Sequence, residues 1–461
     1  MAIDRKLRAA IAVTRFGLGA RPGEIDQAVG DPEMFLIDQI RREGADQPSD
    51  PPPSSAERFG ELRQFQMLRR QAKDAGDPKA DPVKLARKLI RQDAGADFIA
   101  RLRLAASTEA SFRERWALFF ANHFTVSATK FADATLVGPF EAEAIRPNCF
   151  GRFHDLLLAS SRNPAMLIYL DQAQSIGPDS AAARFRDFRG KKAAGLNENL
   201  GREMMELHTV GVEAGYSQAD VTEFSKALTG WSIGGLNEPD AAGRFVFRPR
   251  AHEPGARTIM AKRYAEGGED QALAVMADLA ASPHTAHHLG FELARHFVAD
   301  DPPPSLVEKL KRTYLASGGD LSEVARTLIK SPESWEAPQK KFKRPYEFMV
   351  SSWRAAGWTK GDLLASPRML TAMGQKPFSA PSPKGWPEAA QDWAAPDDIV
   401  KRMAWSEDLA SRQGAGRDPM VLADAALGAR LSPQAAQAIS RAETRVEGLA
   451  ILLMSPEFQR R

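Results

Sequence analysis

The stretch of this chain richest in reactive side chains is Asn197–Val210, NENLGREMMELHTV. Wound as an α-helix at about 100° per residue from Glu198, it places Arg202 at about 40°, Glu206 at about 80°, Asn199 at about 100° and Glu203 at about 140°. Leu200, Met204 and Leu207 fall on the opposite, apolar face. Two carboxylates one turn apart can share a proton, raising one pKa, or bind a divalent cation with help from elsewhere. Arg202 on the same face is placed to orient Glu206 or an anionic group; the purely structural reading is an Arg202–Glu206 i,i+4 pair in a buried polar network. His208 falls about 160° from Glu206, so a Glu-Glu-His metal triad on this one helix is geometrically poor.

Histidine supplies the second set. Trp116, Phe119, Phe120 and His123 stand at i, i+3, i+4 and i+7. His123 therefore points where three aromatics point, as a satisfied core residue or as a pocket base whose pKa burial lowers. His296 repeats the pattern behind Leu289 and Leu293, and His252 belongs to a loop. His284 and His288 are an i,i+4 pair able to bind a metal, without the intervening glutamate of a metalloprotease helix. The chain carries no Walker loop, no GxGxxG after a strand and no GxSxG elbow. Its one cysteine, Cys149, excludes an internal disulfide framework and Cys-based metal clusters.

These groups sit in 461 residues, 43% of them hydrophobic, enough to bury a sizeable core. The net charge of +3 is too near neutral for a nucleic-acid protein. No apolar run reaches the roughly 20 residues of a membrane span. The apolar part of the basic start, Ala9–Val13, is shorter than a secretory core, and Arg5-Lys6 is no twin-arginine pair, so the expected compartment is the cytoplasm.

The elements that must position the candidates read as helix almost throughout, giving a mainly α fold: one large multi-helical domain over 1–461. Asp31 with Pro32 predicts a helix start, and Ser217 with Asp220 predicts another. A Pro-rich linker spans 48–55. The segment 58–103 predicts two charged helices with 12 basic and 6 acidic residues, a solvated face or a surface for an acidic partner. Residues 178–195 read as a long polar loop of the lid or binding kind. A β-hairpin insertion is expected at 244–264, pairing Phe245 and Phe247 with Thr258–Met260. A Pro-rich loop runs from 376 to 387.

Several landmarks together resemble one family. They are Arg15-Phe16-Gly17-Leu18-Gly19-Ala20, Trp116 through Asn122-His123-Phe124, Tyr169-Leu170-Asp171, Asn197 through Gly211 continuing to Trp231, Ala294 through Val298, and Ser455-Pro456-Glu457-Phe458. The chain resembles, over essentially its whole length, the bacterial domain-of-unknown-function family numbered 1800. It departs at Ser282-Pro283, where the family pattern has His-Pro. The resemblance implies a largely helical bacterial protein and no established activity. It also implies export for many relatives, and a partnership with a neighbour-encoded exported protein of a second uncharacterised family.

Two functions follow as expectations. In the first, Glu203, Glu206, His123 and Arg202 are catalytic and Asn199, His296, His208 and His252 line a polar pocket. That pocket belongs to a metal-assisted hydrolase or a carbohydrate-active enzyme, with a divalent metal as the one candidate cofactor. In the second, the chain is a non-catalytic binding or scaffold partner that uses 58–103 or 376–387.

Overall fold

The computed structural model describes residues 4–189, 195–235, 238, 240–336, 338 and 341–461. Among these residues the fold is mainly α, with 23 α-helices and two two-stranded antiparallel ribbons. No helix is long and apolar enough to cross a membrane. The helix starts follow their capping chemistry. Asp31 accepts from Glu33 N and Met34 N ahead of Pro32–Ile40. Ser217 and Asp220 form a reciprocal capping box at Gln218–Ala227.

Eight helices matter below: α1 (Arg5–Ile11), α2 (Ser55–Asp74), α3 (Asp81–Ser107), α4 (Ser111–His123), α5 (Asn199–Glu203), α6 (Gln218–Ala227), α7 (Pro283–Phe297) and α8 (Pro345–Ala356). The charged pair α2 and α3 breaks at Asp77-Pro78, and three of its 12 basic residues are paired within the fold: Arg58 with Asp97, Arg101 with Glu141 and Arg103 with Asp50.

Two large hydrophobic cores and two small clusters form among the described residues. The larger holds Phe16, Trp116, Phe119, Phe120, Met204, Leu293 and Phe297. The second holds Leu18, Phe98, Leu118, Phe348, Trp353 and Leu453. Helix α4 feeds both, buried from Ser111 to Phe120, because its apolar residues run round more than one face. Charged side chains of α4 therefore have to be satisfied inside the protein.

Long-range guanidinium bonds close the molecule. Arg354 of α8 grips Glu24 through both carboxylate oxygens, at 2.9 and 2.8 Å, and bonds the carbonyls of Gly19, Ala105 and Thr108. Arg15 donates to Ser334 O and Pro338 O, and Arg430 to Thr14 Oγ1. The Arg-Phe-Gly-Leu-Gly landmark is thus an assembly joint. A Cβ at Gly17 would lie 2.5 Å from Ser111 Oγ, and Gly19, at φ +100°, lies against Ser351.

Three expectations are corrected. The strand region does not fold as one hairpin: β1 (Trp231–Ile233) pairs with β2 (Phe245–Phe247), and β3 (Arg257–Ile259) pairs with β4 (Lys262–Tyr264). Trp231, outside the expected insertion, stacks edge-on to Phe245 and supplies the apolar partner for β2. The loop expected at 178–195 contains a helix, Ala181–Phe188, capped by Ser180, while residues 190–194 lie outside the described set. Finally, Asn197–Val210 is not one α-helix: α5 ends at Glu203 and the chain widens into a π-turn over Met204–His208.

Candidate functional site

The π-turn decides where the histidines go. Widening to i→i+5 bonding leaves the carbonyls of Leu207 and His208 without partners in the turn. His288 Nε2 donates to Leu207 O at 3.1 Å, and His123 Nε2 donates to His208 O at 3.2 Å. A carbonyl only accepts, so both rings carry a proton on Nε2; in His123, where burial disfavours the cation, Nδ1 is then the lone-pair nitrogen. The His123 ring centroid lies 6.1 Å from that of His208 and 6.3 Å from that of His288. Burial, then the neighbouring His208 and His288, hold His123 well below the usual histidine range. Burial also lowers His208 to about 3.

His123 and His288 line a cleft of about 380 Å³ between α4, α7 and the Pro-rich loop. The α7 wall presents His288, Glu292 and Arg295. His288, Glu292 and His296 are spaced i, i+4, i+8, one row along the helix, while Leu289, Leu293 and Phe297 turn into the core. Glu292 was not among the residues singled out from the sequence; that row of three ionisable residues was the signal for it. The Glu292 carboxyl has no hydrogen bond or ion pair among the described residues. Burial raises its pKa, with His288 and Arg295 opposing.

The opposite wall is the Pro-rich loop. Asn122 fixes it: Asn122 Oδ1 accepts from Trp386 N at 2.7 Å and Asn122 Nδ2 donates to Trp386 O at 3.1 Å. Gly385 has φ +82°, and a Cβ there would fall 2.6 Å from Asn122 O and 2.7 Å from Oδ1. Gly385→Ala is therefore expected to cost about 1–3 kcal/mol. It should also red-shift the tryptophan fluorescence as Trp386 comes off Trp393; an unshifted spectrum with unchanged stability would show that the loop does not depend on this joint.

Behind the cleft lies a charged centre. Glu347 caps α8, accepting from Arg344 N at 2.9 Å, and takes Arg115 at 2.8 Å and Arg461 at 3.1 Å. Arg461 reaches it because Lys343 N→Gln459 O and Arg461 N→Lys341 O pair the two segments like strands. Glu388 takes Arg344 at 3.2 Å and His296 Nδ1 at 2.9 Å, with Lys341 Nζ at 3.7 Å. Burial opposes ionisation of both carboxyls, but Arg461, Arg344 and Arg115 around Glu347, and Arg344, the His296 hydrogen bond and Lys341 around Glu388, overcome it and hold both below the usual range. Burial keeps His296 neutral, lowering it to about 3 even beside Glu388.

The other sequence-derived candidates lie elsewhere. Arg202 pairs with Glu198 at 3.0 Å and bonds Gln218 at 3.0 Å, so it does not orient Glu206. The π-turn begins at Met204, and the helical wheel that put Arg202 and Glu206 on one face stops holding there. Glu203 and Glu206 are half-buried and line none of the cavities described here; burial, then Glu206, raises the Glu203 pKa. Asn199 borders a shallow groove with Asp171 and Glu198. His252 bonds Thr229 O at 3.0 Å beside the ribbons. His284 is exposed at the start of α7, where Ser282 accepts from its backbone N. Among the described residues, no three His, Cys, Asp or Glu side chains are grouped to hold a metal ion.

The class this defines is an all-α protein in which an imidazole–carboxyl cleft is backed by a buried charged centre. The chain belongs to the DUF1800 family, proteins of unknown function, whose model matches residues 11–460. No curated protein and no solved structure shows a match.

Proposed function

We propose that this chain is a hydrolase that works by acid–base catalysis in the cleft between α7 and the Pro-rich loop. The observation that carries the reading is that one solvent-reached cleft holds a carboxyl with a raised pKa, Glu292, and an imidazole with a lowered one, His123. Environments that push two groups apart in this way divide the roles of acid and base between them. His123 takes a proton from water at Nδ1. The water oxygen attacks the electrophilic centre, and Glu292 gives its proton to the leaving oxygen as that bond breaks. His208, with its carbonyl on the His123 ring, is a positioning residue. Trp386 offers a flat apolar face and Asn122, Lys384 and Asp392 offer polar groups, a lining that suits a carbohydrate-type substrate.

The pH dependence follows from the two directions. The acid must be protonated, so activity falls as pH rises through the raised Glu292 pKa. The base must be neutral, so activity falls as pH drops through the lowered His123 pKa. Assay of chromogenic glycosides and esters from about pH 4 to 8 should give a bell centred on the acidic side of neutrality. Histidine-ring NMR should show His123 still neutral where a free imidazole is half protonated. An ordinary His123 titration, or a rate climbing steadily to pH 8, would overturn the assignment.

A further inference from the structure

The segment 178–195 carries five cations and two carboxylates in its sequence. Within it, the helix Ala181–Phe188 shows solvent an aromatic face: Phe188 is 89% exposed and Phe185 51%. No other large hydrophobic side chain among the described residues exceeds 65%. With Phe185 at zero and about 100° per residue, Phe188 falls at about 300° and Ala181 at about 320°, so the three share one face. Ala183, at about 160°, is the residue that turns inward and is buried. Arg184 and Arg189 fall about 70° to either side of the aromatic face, whereas Asp187 stands about 130° from it. The Arg189 guanidinium lies 4.8 Å from the centre of the Phe185 ring, and Arg184 donates to Asp179 O at 2.8 Å. The helix packs on residues 249–251, which add an exposed Arg250. Arg184, Arg186, Arg189 and Arg250 have no ion pair among the described residues.

We propose that this helix docks the protein on a membrane surface that bears anionic headgroups. Charge selects the sign of the partner. Unpaired guanidinium groups on both flanks of an apolar face let aromatic rings enter the boundary between headgroups and acyl chains while the cations stay with the phosphates. Area selects a membrane over a protein. At these exposures the two rings offer roughly 300 Å² of apolar surface, against the ~800 Å² that a stable protein interface takes from each partner. A ring standing this far out of a convex helix also needs a surface that yields to it, and a bilayer yields. No helix here crosses a membrane, so the contact is attachment to one leaflet. The proposal is independent of the acid–base reading of the cleft.

The test is flotation of the full chain with vesicles of about one-third phosphatidylglycerol in phosphatidylcholine, beside vesicles of phosphatidylcholine alone. The chain is expected to float with the first and stay behind with the second. Raising the salt from about 0.1 M to about 0.5 M should release it, because the cations are exposed and screened. The double variant Phe185→Ser, Phe188→Ser changes only exposed rings, so its urea midpoint should not move, and its partition into the anionic vesicles should fall about tenfold or more. Arg184→Gln with Arg189→Gln should lower the partition by a similar factor, at roughly fivefold for each cation. Absence of flotation with the anionic vesicles would overturn the proposal, as would equal flotation with the neutral ones. Undiminished flotation of the phenylalanine variant would put the contact on another surface, such as 58–103. A dimer in sedimentation velocity that the same variant turns into a monomer would make a second copy of this chain the occupant instead.

Discussion

Glu347→Gln is expected to destabilise the protein by about 3–5 kcal/mol, read as a large fall in the urea midpoint. Removing one member of a buried ionic cluster strands its partners, and their desolvation is no longer offset. Here three guanidinium groups, those of Arg115, Arg344 and Arg461, converge on this one carboxylate. All three arginines are buried, so none can turn to water. Glu206→Gln is the matched control: Glu206 has no ion pair among the described residues, and its loss should move stability by no more than about 0.5 kcal/mol. Arg461→Met in the Glu347→Gln background should recover part of the loss, since one stranded charge is removed with its partner. Equal midpoints for Glu347→Gln and Glu206→Gln would mean the cluster does not support the fold.

Glu292→Gln should lower kcat by about 10²–10⁴ without lowering stability. Glutamine keeps the shape and cannot supply the proton. The side chain is held by no ion pair, and burial already disfavours its charged form, so the neutral amide is tolerated where it stands. His123→Gln should cost a similar factor, and the double variant little more, because acid and base act in one step. Lys384→Ala, at the rim of the same cleft, should raise KM with little change in kcat. A Glu292→Gln enzyme with undiminished kcat would remove Glu292 from the chemistry.

What was legible in the sequence follows the range of the physics involved. Caps and breaks are local, so Asp31-Pro32, Ser217 with Asp220, and Asp77-Pro78 announce their helix ends. His123 was legible as a pocket residue candidate because its spacing behind Trp116 and Phe119 is local too. The π-turn was not: one added residue per turn leaves no mark in composition, yet it redirects everything after Glu203 and breaks the geometry on which Arg202 and Glu206 were joined. Nor was the charged centre. Arg344 and Glu347 stand at capping-box spacing, but positions 115, 296, 388 and 461 are brought to them by tertiary packing, and no spacing rule connects those. The prolines of 376–387 announce a loop, but its inward fold depends on Asn122, more than 250 positions earlier.

The joints made by Arg354, Arg15 and Arg430 carry a consequence for synthesis. The first helix and its glycine turn leave the ribosome some 330 residues ahead of the guanidinium that closes over Glu24. At about 5–20 residues per second, that is an interval of roughly a quarter of a minute to a minute. Ala9, Ala10 and Val13 do not wait for it: they pack on Ala20, Ile25 and Ala28, made within about 1–4 seconds of them. What waits is the Glu24 carboxylate, which the amino-terminal segment carries without the Arg354 guanidinium until the chain is three-quarters made.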